Sequence, residues 1–491
     1  LLNKALAALH AGRLAEAERL FRRVLRAQPD HAEALHCLGI ICHRTGDHAR
    51  ALQFLQRALR LDQSSSPLHN NHATVLNALR RPHEALASLD RALALNPGDA
   101  TLHYNRGNTL MDLLRDEDAL ASFSRAVALN PALRPAWQNK AVIETRLGLY
   151  AAALATCDHL IALDPDEAQP RANRGDAPQA DPEFALAHWN AASICLARGD
   201  FARGWREYEW RWHDPKHAAR ARRFSQPLWL GQQDLRGRTI LLHAEQGFGD
   251  SIQFCRYAPM VRARGARVLL EAPAPLLKLL ETLDGPHELI AYGQTLPAFD
   301  LHCPLMSLPL AFGTLVDTIP ANIPYLAADP ARLEIWRQRL GPPAGRRIGL
   351  AWSGSAAFTG DATRSAPLAA LAPLVRPGLE LISVQKDLRK TDRQAAATFG
   401  IRLFGDDLQD FADAAALIAQ MDLVISVDTA PAHLAGALGV PVWLLLHQVA
   451  EWRWMTDRDD SPWYPTARLF RQTSARDWEG LIMKVVKDVL F

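Results

Sequence analysis

Three stretches of the chain place groups capable of chemistry at the ends of expected strands. The first is DLVISVDTAPAHLAGALGVPVWLLL, Asp422 to Leu446. It reads as a buried strand (423–426), a polar turn from Val427 to Pro431, a short small-residue helix (432–438) and a second buried strand (442–446). A turn between a strand's carboxyl end and a helix's amino end is where open α/β sheets bind ligands. The first N–H groups of such a helix, with its dipole, favour an anion such as a phosphate. Around that point Thr429 adds a hydroxyl, His433 an imidazole one turn in, and Asp428 an acceptor for hydroxyls or amines; Ala430 lies in the same turn. Asp428 and Thr429 equally suit a plain helix cap.

The second stretch is EQGFGD, where Gly247 and Gly249 allow close backbone approach and Asp250 falls at the start of a helix. It is not the dinucleotide G-x-G-x-x-G fingerprint. In the third, AWSGS, a strand (348–352) opens into Ser353-Gly354-Ser355 and a polar loop holding Asp361 and Arg364. The next strand (379–384) ends in Gln385-Lys386. Asp457-Arg458-Asp459 has the look of a metal-binding D-x-D, but it lies in an aromatic-rich loop rather than at a strand end. No metal is implied.

These residues need a scaffold of alternating strands and helices. Strands are expected at 239–243, 267–271, 288–291 and 300–303, then at 348–352 and 379–384 before the Asp422 stretch. Two α/β lobes with polar loops at strand ends hold a ligand in the crevice between them. The boundaries expected are 237–330 for the first lobe and 331–474 for the second, with 475–491 a last helix. Residues 214–236, carrying Arg220, Arg222 and Arg223, read as a linker held down by Trp229 and Leu230. Trp443, Trp452, Trp454, Trp463 and Tyr464 read as core and lobe-interface packing.

The first two hundred residues have a different rule. Small residues recur 34 apart at Ala5, Gly39, Ala73, Gly107 and Ala141, and again at Ala17, Ala51, Ala85, Ala119 and Ala153. Bulky partners follow at Phe21, Leu55, Leu89 and Phe123, and the smaller Cys157 takes the fifth place. Pro29, Pro97, Pro131 and Pro165 stop the second helix of the first, third, fourth and fifth units, with Gln63 at that place in the second. The period resembles the tetratricopeptide repeat, and the array is expected over 1–213, with one degenerate unit near 167–183. Such arrays bind peptides or partner proteins along a concave face. Asn70, Asn71, Asn105 and Asn139 occupy similar places on successive first helices; they read either as amides for a peptide backbone or as solvated polar positions.

With 491 residues the chain suggests about three domains. A net charge of +2 gives no global pull toward nucleic acid. No apolar run approaches the roughly 20 residues that cross a bilayer, and the first residues read as an amphipathic helix rather than a signal peptide. The six scattered cysteines have no zinc spacing and read as reduced thiols of a cytoplasmic protein.

From about Arg236 to Phe491 the chain resembles the GT-B glycosyltransferases. It is most similar to the heptosyltransferase-like family 9 group and to bacterial proteins that join tetratricopeptide repeats to that domain. The residues that carry the resemblance are GFGD (247–250), AWSGS (351–355), RSAPL (364–368), SVQKD (383–387), SVDTAPAHLAGALG (426–439) and WRWMTDRDDSPWYPTARLFRQ (452–472). The resemblance implies an α-solenoid followed by two Rossmann-like lobes, 237–330 on the acceptor side and 331–474 on the donor side, with the helix of 475–491 crossing back to brace the first lobe. It also implies an inverting, metal-independent transferase with a nucleotide-sugar as co-substrate and no cofactor. Asp250 would be the general base for the acceptor hydroxyl. Asp428, Thr429, Ala430 and His433 would cradle the donor's diphosphate with Arg364 facing it. Ser353 and Gly354 would line the phosphate side, and Gln385 and Lys386 would approach the ribose or phosphates. The acceptor implied is a protein modified on Ser or Thr, flagellin or another surface protein, recruited by repeats that can also pair two copies of the chain. The competing expectation is a non-catalytic repeat scaffold with a decayed transferase domain.

Overall fold

A computed structural model describes residues 1–163, 182–214, 221–355, 361–474 and 476–489. Its first unit, Leu1–Ala168, is a run of antiparallel helix pairs from Leu2–His10 and Leu14–Ala27 to Arg134–Arg146 and Tyr150–Ala162. The 34-residue period has a direct steric cause. A Cβ on Gly39 would lie 2.6 Å from Leu55 Cγ, and one on Gly107 would lie 2.5 Å from the Phe123 ring. The small residue of one helix is therefore the slot for the bulky residue of its mate, and Ala17, Ala51, Ala85, Ala119 and Ala153 are fully buried. The expected degenerate unit falls almost wholly outside the described residues.

The second unit, Gln169–Phe491, begins with helices Pro182–Ala197 and Phe201–Tyr208. The array was expected to run to 213, but these helices pack with the α/β lobes. Trp205 meets Trp452 edge-on at 5.2 Å between ring centroids, and it also packs against Phe254 and Trp463. Burying that ring against three aromatics outweighs its membership of a repeat pattern.

The first sheet contains β1 (Thr239–His243), β2 (Arg267–Ala272), β3 (Glu288–Ala291) and β4 (Leu301–Pro304), all parallel, in the order β3-β2-β1-β4. The second contains β5 (Arg346–Ala351), β6 (Leu379–Ser383), β7 (Arg402–Leu403), β8 (Leu423–Val427), β9 (Val442–Leu446) and β10 (Ala467–Arg471). Its order is β10-β9-β8-β5-β6-β7, again parallel. Chain order reverses beside β1 in one sheet and between β5 and β8 in the other. Such switch points open crevices at strand ends, and the loops that leave β1, β5 and β8 are the three singled out by sequence.

The linker runs beside β4: Leu228 bridges His302, Trp229 N–H donates to His302 O at 2.8 Å, and the Trp229 ring is fully buried. The last helix corrects an expectation. Trp478–Val489 does not cross to the first lobe; Trp478, Leu481, Ile482 and Val485 cover the second sheet's face with Ile348, Leu350, Leu371 and Leu381. An uncovered face of a parallel sheet would leave those side chains in water. The loop after β9 reaches the first lobe instead, through Arg453.

Candidate active site

The two predicted loops meet. A Cβ on Gly249 would lie 2.8 Å from His433 Cδ2 and 3.7 Å from the Ala430 Cα, so the helices Phe248–Phe254 and Ala430–Ala437 face each other across the lobes. Glycine at 249 is what permits that approach. Asp250, at the third position of its helix, accepts from Gly247 N–H at 2.8 Å through Oδ2 and from the Arg453 guanidinium through Oδ1. Its side chain keeps 20% exposure. It thus caps its helix and also faces the cleft.

On the other side, Thr429 is the N-cap residue of its helix but makes no side-chain cap, so the capping alternative for this turn is not what the chain adopts. Its hydroxyl bonds to Val427 O at 3.2 Å. The backbone cradle is smaller than expected. Pro431 has no N–H, and the N–H groups of Ala432 and His433 reach Thr429 O at 3.0 and 3.5 Å. An anion at this turn therefore depends on side chains more than on amides. His433 is buried, with Nδ1 3.0 Å from Tyr464 Oη, Nε2 3.7 Å from Asp428 Oδ1, and its ring stacked on Trp454. Burial pushes the Asp428 carboxyl up, but the His433 imidazole 3.7 Å away, with the Arg453 charge, outweighs it and holds the group below its ordinary value.

Arg364 reaches this turn: Nη1 donates to Asp428 O and Nε to Asp361, each at 3.3 Å. Gly354 leaves room for it, since a Cβ there would lie 2.4 Å from Arg364 Nη2. Ser353 is buried at the end of β5 and meets Gln385. Gln385 is held by four hydrogen bonds. Its Oε1 accepts from the N–H of Trp352 (2.9 Å) and Ser353 (3.3 Å), and its Nε2 donates to Ser353 Oγ (3.2 Å) and Asp387 O (3.0 Å). A side-chain amide has four such valences and all are used internally, so Gln385 ties the ends of neighbouring strands together. Lys386 is exposed, with Nζ 3.3 Å from Gln409 O.

Sequence reasoning missed two residues, Arg453 and Glu451. They sit in the loop after β9, and the signal available was an Arg between two Trp at a strand end. Arg453 donates to Gln253 Oε1 and Glu451 Oε1, each at 2.6 Å, and to Asp250. Burial alone would lower its pKa; the carboxylates of Glu451 and Asp250 overcome that and raise it. Burial pushes the Glu451 carboxyl up to about 7, with Arg453 opposing and Asp428 adding to the rise. Glu245, in the first lobe's loop, is likewise pushed up to about 7 by burial. It pairs with the fully buried Arg211, which also binds Glu209 and Ser307. Among the described residues no three His, Cys, Asp or Glu side chains converge as a metal ion would require. Trp452, Trp454, Trp463 and Tyr464 are buried.

In the array the four asparagines bond between units. Asn105 Nδ2 donates to Asn70 Oδ1 at 2.8 Å, Asn139 Nδ2 to Asn108 Oδ1 at 2.7 Å, and Asn71 Nδ2 lies 2.7 Å from His36 Nε2. All four stay half-buried.

Residues 2–66, 70–133 and 108–168 match the tetratricopeptide repeat family, and residues 408–457 match glycosyltransferase family 9 (heptosyltransferase). The helical unit is thus a tetratricopeptide repeat array, an architecture for binding peptides and proteins. The α/β half carries a family 9 segment that runs through Asp428, His433, Glu451 and Arg453, and this match supports glycosyl transfer as its activity. Protein FlbA of Caulobacter vibrioides is similar at 29% identity over 512 residues, covering 98% of this chain and 82% of that protein. Among solved structures, MamA from Desulfovibrio magneticus RS-1 is 22% identical and covers 34% of this chain and 94% of that one at a TM-score of 0.32. YrrB, described as a repeat protein with an unusual peptide-binding site, is 25% identical and covers 34% and 86% at a TM-score of 0.31. No helix among the described residues is long and apolar enough to cross a membrane.

Proposed function

We propose that the chain is an inverting glycosyltransferase with a nucleotide-sugar as co-substrate and neither metal nor cofactor. It acts in the cytoplasm on Ser or Thr of a protein acceptor bound by the repeats, with flagellin or another surface protein as the acceptor class. The observation that carries the reading is the meeting of the Asp250 helix with the Ala430–Ala437 helix, Gly249 against His433. It puts a carboxylate of the first lobe opposite the anion-favouring turn of the second.

In the reaction the acceptor oxygen attacks the anomeric carbon and its proton passes to Asp250. The bond from that carbon to the diphosphate oxygen breaks, and the electron pair leaves with the nucleoside diphosphate. Thr429 and Ala430 line the diphosphate, and the Arg364 guanidinium offsets the charge that grows on it. A repeat-mediated homodimer belongs to the same reading and is checked by light scattering.

The test is thermal shift with UDP, GDP, ADP and CMP, followed by turnover of the matching nucleotide-sugars. At least one nucleotide should stabilise the protein. Asp250→Asn should bind it as the unsubstituted protein does and lose about 100-fold or more in turnover. Full turnover in that variant removes Asp250 as base. Binding of none of the four nucleotides would favour instead the second reading, a non-catalytic scaffold with a decayed transferase domain.

A further inference from the structure

Arg453 belongs by sequence to the donor lobe, yet its guanidinium ends in the acceptor lobe. Nε donates to Gln253 Oε1 and Nη1 to Glu451 Oε1, each at 2.6 Å, while Nη2 meets Asp250. Its Cζ lies 4.5 Å from the Trp452 ring centroid and 5.7 Å from that of Phe254. The backbone is pinned as well, because Arg453 N–H donates to Glu451 Oε2 at 3.0 Å. Only 8% of the side chain is exposed. A planar fork with donors committed in three directions between two rings has its orientation set before any ligand arrives.

That rigidity is passed on. Oδ1 of Asp250 is fixed by Arg453 and Oδ2 by Gly247 N–H at 2.8 Å. Both oxygens of the carboxylate are therefore located, and a further lone pair on each is left for a proton. A clasp between lobes would be served by any contact between them. Here the contact falls on the one carboxylate that the function needs.

We propose that Arg453 is a positioning residue: it holds the Asp250 carboxylate in register to take the acceptor's proton, and acts through Asp250 rather than on the donor. The inference rests on Asp250 being the base.

The experiment is a double-mutant cycle on the full chain. It uses hydrolysis of UDP-glucose, GDP-mannose and ADP-glucose, with water as acceptor. Arg453→Met should lower turnover by about 100-fold, leave the KM for the sugar nucleotide within about two-fold, and cause no further loss when combined with Asp250→Asn. Arg453→Lys, which keeps the charge but not the fork, should recover part of the rate. Losses that multiply in the double variant would overturn the inference, as would a raised KM at unchanged kcat, which marks a donor ligand. Should Arg453→Met fail to fold, Gln253→Leu removes the Nε anchor and leaves the ion pair. It should give a smaller loss that also vanishes in the Asp250→Asn background, and an additive loss overturns the inference. Full turnover by Asp250→Asn alone takes away the inference and leaves the glycosyltransferase reading, whereas no turnover of any of the three sugars together with binding of none of the four nucleotides takes away both.

Discussion

Two guanidiniums, Arg211 and Arg453, each hold a carboxylate of the loop that leaves β1. Arg453 takes Asp250 and Arg211 takes Glu245, and neither partner is near in sequence. Arg211 and Glu245 are both buried, which makes the pair expensive to expose and expensive to break. The carboxyl of Glu245 is raised to about 7 by burial, with Arg211 opposing and Glu209 adding. Between its ordinary value of 4.5 and about 7, the folded chain holds this proton and the unfolded chain does not. Stability is therefore greatest on the acid side of that window and falls as pH rises through it, by roughly 3 kcal/mol at most. Glu451, likewise raised to about 7, adds a slope of the same sign, so Glu245→Gln should reduce the dependence without abolishing it, and urea unfolding at pH 5 and pH 8 for both proteins measures it. An unchanged slope in the variant would place the titrating group elsewhere.

At the scale of elements, the repeat helices depend on steric complementarity more than on any single contact. Phe123 fills the slot left by Gly107, so Gly107→Leu should overpack that pair and lower stability by about 1–3 kcal/mol, read as a lower Tm. A Tm at or above that of the unsubstituted chain would mean the slot is not tight. The strands that carry the site were legible because buried parallel strands are continuous apolar runs. β1, β3 and β9 begin and end at the expected residues. The two-residue β7 and the edge strand β10 were not anticipated, since Arg402–Leu403 is too short to show a pattern and Ala467–Arg471 carries charged residues at 468 and 471. The spacing of apolar residues predicts a helix over 475–491, and the helix formed, Trp478–Val489, covers the second sheet rather than the first lobe. Its apolar stripe says that it covers something and does not say what.

For the whole molecule, the two compact units allow recruitment and chemistry to be tested apart. Removing residues 1–166 should abolish modification of a protein acceptor while sparing slow hydrolysis of the nucleotide-sugar, as followed by nucleoside diphosphate release. Undiminished modification of the protein would show that the array is not the recruiter. The helices Pro182–Ala197 and Phe201–Tyr208 and the turn Glu209–His213 must stay, because Trp205 and Arg211 are built into the α/β unit.

The sequence by itself determined what short-range rules can write. It carried the 34-residue period and its small-against-large slots, the order of strands and helices, and the polar turns that put Asp250, Asp428 and His433 at strand ends. Those features repeat or alternate over a few residues, and chain stiffness and burial read them locally. Only the tertiary structure decided which charges meet. Arg453 reaches Asp250 across 203 positions, Gln385 spends its amide on neighbouring strand ends, and Arg211 is buried against a loop 34 residues away. An ion pair inside a protein is set by where the backbone brings two side chains and by the exclusion of water around them, and neither quantity exists until the lobes have closed on each other.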